Sequence, residues 1–471
     1  MALSAIRLAN LIEMPNLGTI IGYWWQPHAP KVRLFGTLDK SEGRYTVKLA
    51  GHFHPIGWRD EPREHSLIFG ESIEGHKFTL VGGVEYFAKG PAQQPCTQIL
   101  ATLMIMGGTF RDPAKVPCKT VALMPTNLVP WLGLKSVSYS GKRERARCEW
   151  DLGVIPVCRI PSQNIRLSFR IHDYVREKAC IESIHTSVTE IHRFAAIQLT
   201  PRAPITLQRA FALARDTLNL MRIVGRPDMR CYGFITDTVT VVELSEYAHE
   251  ETSDTYGGSI LHFPDIRRAF DHVANTWYSL VDELSPVVER YIEPMPKIPA
   301  LMFQSLLQTL EFYHRRRYIG TVVGEEQYQK VYKHLLTCIP AGTPAELRTS
   351  IESKLKYGNE MTLRARLREL MWEFNASTRS FLFANEKAFL HRIVDLRNRL
   401  NHPKDSIFDA QATGFGAINQ QLLIFARLLL LKQLGVAEST MVSGIRKNNA
   451  IFWLDRGRQV TFAEVAGKAR S

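Results

Sequence analysis

The period of apolar and polar positions changes near residue 250. Before it, short apolar or alternating runs at 19–25, 32–38, 45–53, 78–87, 97–107 and 119–124 are broken by Gly, Pro and Asp. That pattern predicts strands joined by turns, in an antiparallel sandwich or a strongly bent sheet. Runs at 166–172 and 195–199 continue it. One helix interrupts the series: Thr206 suits an N-cap, Leu207, Phe211, Leu218 and Met221 follow at roughly helical spacing, and Gly225 suits a C-terminal cap. Strand-like segments return at 231–235 and 238–244, so the region reads as α+β.

The stretch 247–258 is polar, acidic and glycine-ended, and it places a linker over 247–260. Beyond it, segments 266–284, 299–318, 325–336, 344–356, 361–374, 379–401 and 411–434 carry apolar residues three and four apart. Short connections between such segments predict an α-helical bundle. The expected architecture is therefore α+β in two domains: a strand-rich domain over 1–246, the linker, and an all-α domain over 261–471.

Composition narrows the class. The chain has 471 residues, 45% hydrophobic and 22% charged, enough for more than one apolar core. Its net charge of +13 and pI near 9.4 suit a polyanionic partner, nucleic acid first and an anionic membrane surface second. Seven cysteines at 96, 118, 148, 158, 180, 231 and 338 lie far apart without a C-x-x-C pair, which argues against a disulfide framework or a cysteine-rich zinc site. Residues 1–14 make a poor secretory segment, interrupted by Arg7, Asn10 and Glu13. The most apolar stretch, 422–434, contains Arg427 and Lys432 and is short for a bilayer. A cytoplasmic location without membrane contact is expected.

The candidate chemistry lies in 381–402. Phe389, Ile393, Leu396 and Leu400 form one apolar stripe, while His391, Asp395, Asn398 and His402 recur on nearly the opposite side. Arg397 projects about 100° from Asn398. Pro403 disfavours helix at His402, so the imidazole is free to swing toward Arg397. Such a set meets the needs of RNA scission without a metal. His402 would handle the proton, Arg397 would stabilise charge on the phosphorus oxygens, and Asn398 would orient the phosphate or the ring. By spacing alone R-x4-H is a short pattern, and His-Pro also simply ends helices.

Arg397-Asn398-x-x-x-His402, late in a helical domain, resembles the R-x(4–6)-H motif of the HEPN (higher eukaryotes and prokaryotes nucleotide-binding) ribonucleases. Ala274-Asn275-Thr276-Trp277 and the helix from Phe303 to Arg316 resemble the ApeA-type HEPN domain of bacterial anti-phage defence, and the first half is similar to the ApeA N-terminal domain. The resemblance implies a sensing or regulatory N-terminal domain and a homodimeric ribonuclease whose paired motifs face a shared cleft. It also implies metal-independent cleavage leaving a 2′,3′-cyclic phosphate, with transfer RNA cut, in the anticodon loop, after a phage component triggers abortive infection. No cofactor or metal is called for.

Further residues have both a bland and a functional reading. Glu311, His314 and Arg315 share a helix face, as an exposed Glu–Arg pair or as RNA-contacting or orienting groups beside the dimer cleft. Arg315-Arg316-Arg317 is a solvated face or a grip on the RNA backbone. Arg399, inside the motif, and Lys404, just after it, join the expected substrate-binding set. His391 and Asp395 read as a polar or dimer-facing surface. His52, His54, His65 and His76 read as exposed strand histidines rather than a metal site, with no carboxylate or cysteine at a familiar ligand spacing. The alternative function is a non-catalytic RNA- or partner-binding dimerisation module. A carbohydrate- or ligand-binding first domain ranks below both, since no Gly-rich phosphate loop follows any strand.

Overall fold

The computed structural model describes residues 19–41, 44–53, 62–89, 95–134, 139–140, 147–148, 154–179, 187–231, 233–243, 259–292, 298–401, 415–448, 450–452 and 454–459. The chain is α+β, strand-rich in its first half and helical in its second. It divides into two compact units, Met1–Thr255 with Leu261–Ser279, and Tyr256–Ile260 with Leu280–Ser471. Most of the expected linker falls outside the described residues. Residues 261–279, expected in the helical domain, cluster with the first unit instead.

The first unit is built on one 13-stranded sheet. Its strands are β1 (Ile20–Trp25), β2 (Leu34–Ser41), β3 (Arg44–Ala50), β4 (Arg63–Ser72), β5 (Lys77–Lys89), β6 (Pro95–Leu100), β7 (Leu103–Met106), β8 (Val121–Leu123), β9 (Val154–Ile160), β10 (Ile165–Ala179), β11 (Ser187–Pro201), β12 (Gly233–Thr236) and β13 (Thr240–Glu243). They follow the order β9-β10-β11-β8-β12-β13-β7-β5-β4-β1-β2-β3-β6. β6 also pairs with the second half of β5, so β5, β4, β1, β2, β3 and β6 close into an antiparallel ring. Of the two forms the pattern allowed, the strongly bent sheet is the one formed. Closure removes the exposed edges that these strands would otherwise present.

Inward positions of the ring strands supply its core: Trp24, Leu38, Val47, Leu49, Ile68, Phe78, Leu80 and Ile99 are all buried. Gly70 faces Trp24 across β1 and β4, and a Cβ there would lie 2.5 Å from the indole. Only glycine leaves room there for the Trp24 indole.

Helix α1 (Leu207–Val224) forms as its caps direct: the Thr206 side chain accepts from the Arg209 amide, and the Gly225 amide donates to the Met221 carbonyl. Helix α2 (Phe270–Ile292) begins in this unit because its first turns are aromatic. Phe263 and Phe270 pack with Trp131 and Phe169 at centroid distances of 5.3–6.2 Å. Trp277 Nε1 donates to the Asp216 carbonyl at 2.9 Å, and Tyr278 shares a 2.6 Å hydrogen bond with Thr217 on α1. These contacts explain why 261–279 belongs with the strands.

The second unit is helical: after the end of α2 come α3 (Pro299–Arg317), α4 (Glu325–Thr337), α5 (Ala345–Lys356), α6 (Leu363–Trp372), α7 (Ala376–Phe383), α8 (Glu386–Asn401), α9 (Phe415–Gln433) and α10 (Glu438–Lys447). The core helix is α9. By length and composition, with mean hydropathy 1.2, it is long enough to cross a membrane, and 89% of that stretch is buried within the bundle. Phe415 meets Phe303 of α3, and Phe425 meets Phe374 and Phe383. Helices α4 and α5 pair with each other and bury no residue of their own.

The segment expected as one helix over 379–401 is two. Ala384 takes a positive φ of 54°, and Asn385 then caps α8 by accepting from the Ala388 amide at 2.9 Å. Asparagine competes with the helix for backbone hydrogen bonds, which makes it a cap rather than an interior residue.

Candidate active site at the end of helix α8

Helix α8 is oriented by its apolar stripe. Phe389, Ile393 and Leu396 are buried as the spacing requires, and Leu400, in the last turn, is half-buried. This rotation sends Arg397 and Asn398 of the last turn outward, to the wall of a concavity of about 450 Å³ lined also by Val394, Thr362, Leu363 and Arg364. The structure thus brings Arg397 and Asn398 together at one depression. His402, Pro403 and Lys404 lie outside the described residues. His391 is exposed on α8.

The opposite wall is the first turn of α6. Thr362 caps that helix by accepting from the Ala365 amide. The approach to the cap is clamped against residues 320–323. Met361 N donates to the Gly320 carbonyl, Val322 N donates to the Asn359 carbonyl, and the Asn359 side chain bonds both backbone groups of Val323. Arg366 locks the clamp from inside: it is buried, and its Nε donates to the Met361 carbonyl at 3.0 Å. Gly320 has φ +72°, and a Cβ there would lie 2.9 Å from the Arg366 guanidinium.

His314 connects this clamp to α3. Its side chain is 0% exposed, with Nε2 2.7 Å from Glu369 Oε2 and Nδ1 3.3 Å from Arg366 Nη1. A guanidinium only donates, so Nδ1 accepts and the proton sits on Nε2, donated to Glu369. Burial pushes the His314 pKa down, against the raising effect of Glu369, and Arg366 adds to the lowering. Burial keeps the His314 ring from touching RNA; its two hydrogen bonds tie α3 to α6.

The other candidates divide. Glu311 is half-buried on α3. Arg315 is exposed and pairs with Glu360 at 3.3 Å, so the helix-face pair with Glu311 gives way to a link with the clamp. Arg316 and Arg317 are exposed, Arg316 lying over the Phe312 ring. Arg399 makes a surface ion pair with Asp395 at 2.9 Å, worth only tenths of a kcal/mol. One turn before the motif, Arg392 is buried, and its pKa is pushed down to about 10 by that burial first and by Arg399 next.

In the first unit, His65 is a buried strand residue, not an exposed one. It bonds Glu85 and Gln26, both buried. His52 is half-buried against Thr97, His76 is exposed, and His54 lies outside the described residues. Among the described residues, no three His, Cys, Asp or Glu side chains group to hold a metal.

Two family models match the chain: ApeA N-terminal domain 1 over residues 19–155 and Apea-like HEPN over residues 305–440. The chain belongs to the ApeA-like family with a C-terminal HEPN domain. No curated protein and no solved structure matches it. In this ApeA-like chain the HEPN match runs from within α3 to the start of α10, including Arg364, Arg397, Asn398 and His402. Trp277 lies before the matched residues and clusters with the first unit.

Arg364, Arg366 and Glu369 escaped the sequence reading. Thr362 before a helical run signals the start of α6, but nothing in the sequence pairs that start with the end of α8.

Proposed function

We propose that this ApeA-like chain is a HEPN endoribonuclease that acts in anti-phage defence. The carrying observation is the concavity at the end of α8, where Arg397 and Asn398 converge inside the residues that match the HEPN model. Among the described residues Arg397 has no hydrogen-bond or ion-pair partner, which leaves its fork available to a phosphate. HEPN domains commonly dimerise and bind RNA, and the ApeA-like family is one of anti-phage defence.

In the chemistry proposed, the 2′-oxygen attacks phosphorus and the 5′-oxygen leaves, giving a 2′,3′-cyclic phosphate. His402 transfers the proton, Arg397 holds the charged phosphoryl oxygens, and Asn398 orients them. No metal takes part. Two copies complete a shared cleft, the RNA is transfer RNA cut in its anticodon loop, and the strand-rich domain restrains the enzyme until a phage component releases it in the cytoplasm. Induction of Arg397→Ala and His402→Ala in cells tests the assignment. Both variants lose toxicity and cleavage while remaining dimeric. Full activity in both would refute it.

A further inference from the structure

Arg364 stands at an electrostatically unfavourable place. It lies in the first turn of α6, where the helix dipole favours anions, and that turn holds no acidic residue. Among the described residues it has no hydrogen-bond or ion-pair partner. It is half-buried in the wall of the same concavity as Arg397, so two cations from two helices face one depression whose described lining holds no acidic side chain. The clamp around Gly320, Asn359 and Arg366 holds that first turn fixed, so the juxtaposition is built into the bundle.

The remaining lining sorts by chemistry. Leu363 and Val394 give an apolar surface, and Thr362 and Asn398 add hydrogen-bonding groups. About 450 Å³ is within the range of small-ligand pockets, room for a nucleotide rather than for a lone ion.

We propose that Arg364 and Arg397 form a two-arginine site for successive phosphates of a single RNA strand, Arg397 on the phosphate to be cut and Arg364 on its neighbour. The proposal rests on the ribonuclease reading and adds a substrate-binding residue to it. The strand lies across the concavity with sugar or base against Leu363 and Val394. Phosphate contacts of this kind fix register and carry no sequence preference.

The test uses the full-length protein and a 2′-O-methyl oligoribonucleotide, whose blocked 2′-oxygen cannot attack. Binding is measured over a salt series for wild type, Arg364→Ala, Arg364→Lys, Arg397→Ala and the control Arg348→Ala, which breaks an exposed pair with Glu352 on α5. Inorganic pyrophosphate serves as a second probe. Arg364→Ala is expected to weaken both probes about tenfold and to lower the slope of log K against log salt by about 0.7, as loss of one single-strand phosphate contact does. Arg364→Lys restores part of the affinity, and Arg348→Ala leaves the slope unchanged. Arg364→Ala should also melt no lower than wild type, since it removes a cation from the positive end of a helix. Wild-type affinity and slope in Arg364→Ala, with binding lost in Arg397→Ala, would overturn the proposal and leave the ribonuclease reading standing. Pyrophosphate binding that needs Arg364, with no RNA bound, would keep the anion site and overturn its assignment to RNA.

Discussion

His314 on α3 and Glu369 on α6 share a hydrogen bond of 2.7 Å that ties the wall of the candidate site to the bundle, with Arg366 on the other face of the ring. His314→Ala leaves a cavity and deprives Nη1 of the buried Arg366 guanidinium of its acceptor. It should lower folding stability by about 3 kcal/mol in urea unfolding. Glu369→Gln keeps an acceptor for the imidazole N–H and should cost about 1 kcal/mol or less. Equal losses in the two variants would contradict the proton assignment.

The same ring predicts a pH dependence. The folded pKa of His314 lies below its ordinary value near 6.5, because burial disfavours the cation. Below that ordinary value the unfolded chain binds the proton more readily than the folded one. The stability from neutral His314 is therefore complete above about pH 6.5 and is lost as pH falls through the depressed folded value. Glu373 nearby, raised by burial, works in the opposite direction, so the comparison is wild type against His314→Gln. The wild type should lose more stability than the variant on acidification, and the His314 ring should titrate below 6.5 by NMR. A ring titrating at or above the ordinary value would contradict the account.

Two backbone positions should respond in opposite senses. Gly320→Ala places a Cβ at φ +72° and 2.9 Å from Arg366, and should destabilise by about 2 kcal/mol. Ala384→Gly relieves a positive φ between α7 and α8 and should stabilise by about 1 kcal/mol. Thermal unfolding of the full chain reads both.

The parts legible in the sequence were those set by local chemistry. The caps of α1 and the buried stripe of α8 follow from Thr206, Gly225, Phe389, Ile393 and Leu396 alone. The break at Asn385 was hidden because the apolar period runs on through it. β4 and β9 were not foreseen, since the register that buries Ile68 and Ile160 depends on partner strands distant in sequence. The membership of 261–279 depends on aromatic packing against Trp131 and Phe169. Half of the site was legible for the same reason. Arg397 and Asn398 share one helix with their motif, whereas Arg364 reaches them only through the packing of α6 on α8.

Whether Arg397 acts in RNA cleavage is decided by incubating purified protein with transfer RNA in EDTA and identifying the new ends. Wild type should yield fragments with 2′,3′-cyclic phosphates, and Arg397→Ala should leave the RNA intact. RNA bound but uncut by wild type would contradict it and make the helical unit a binding module.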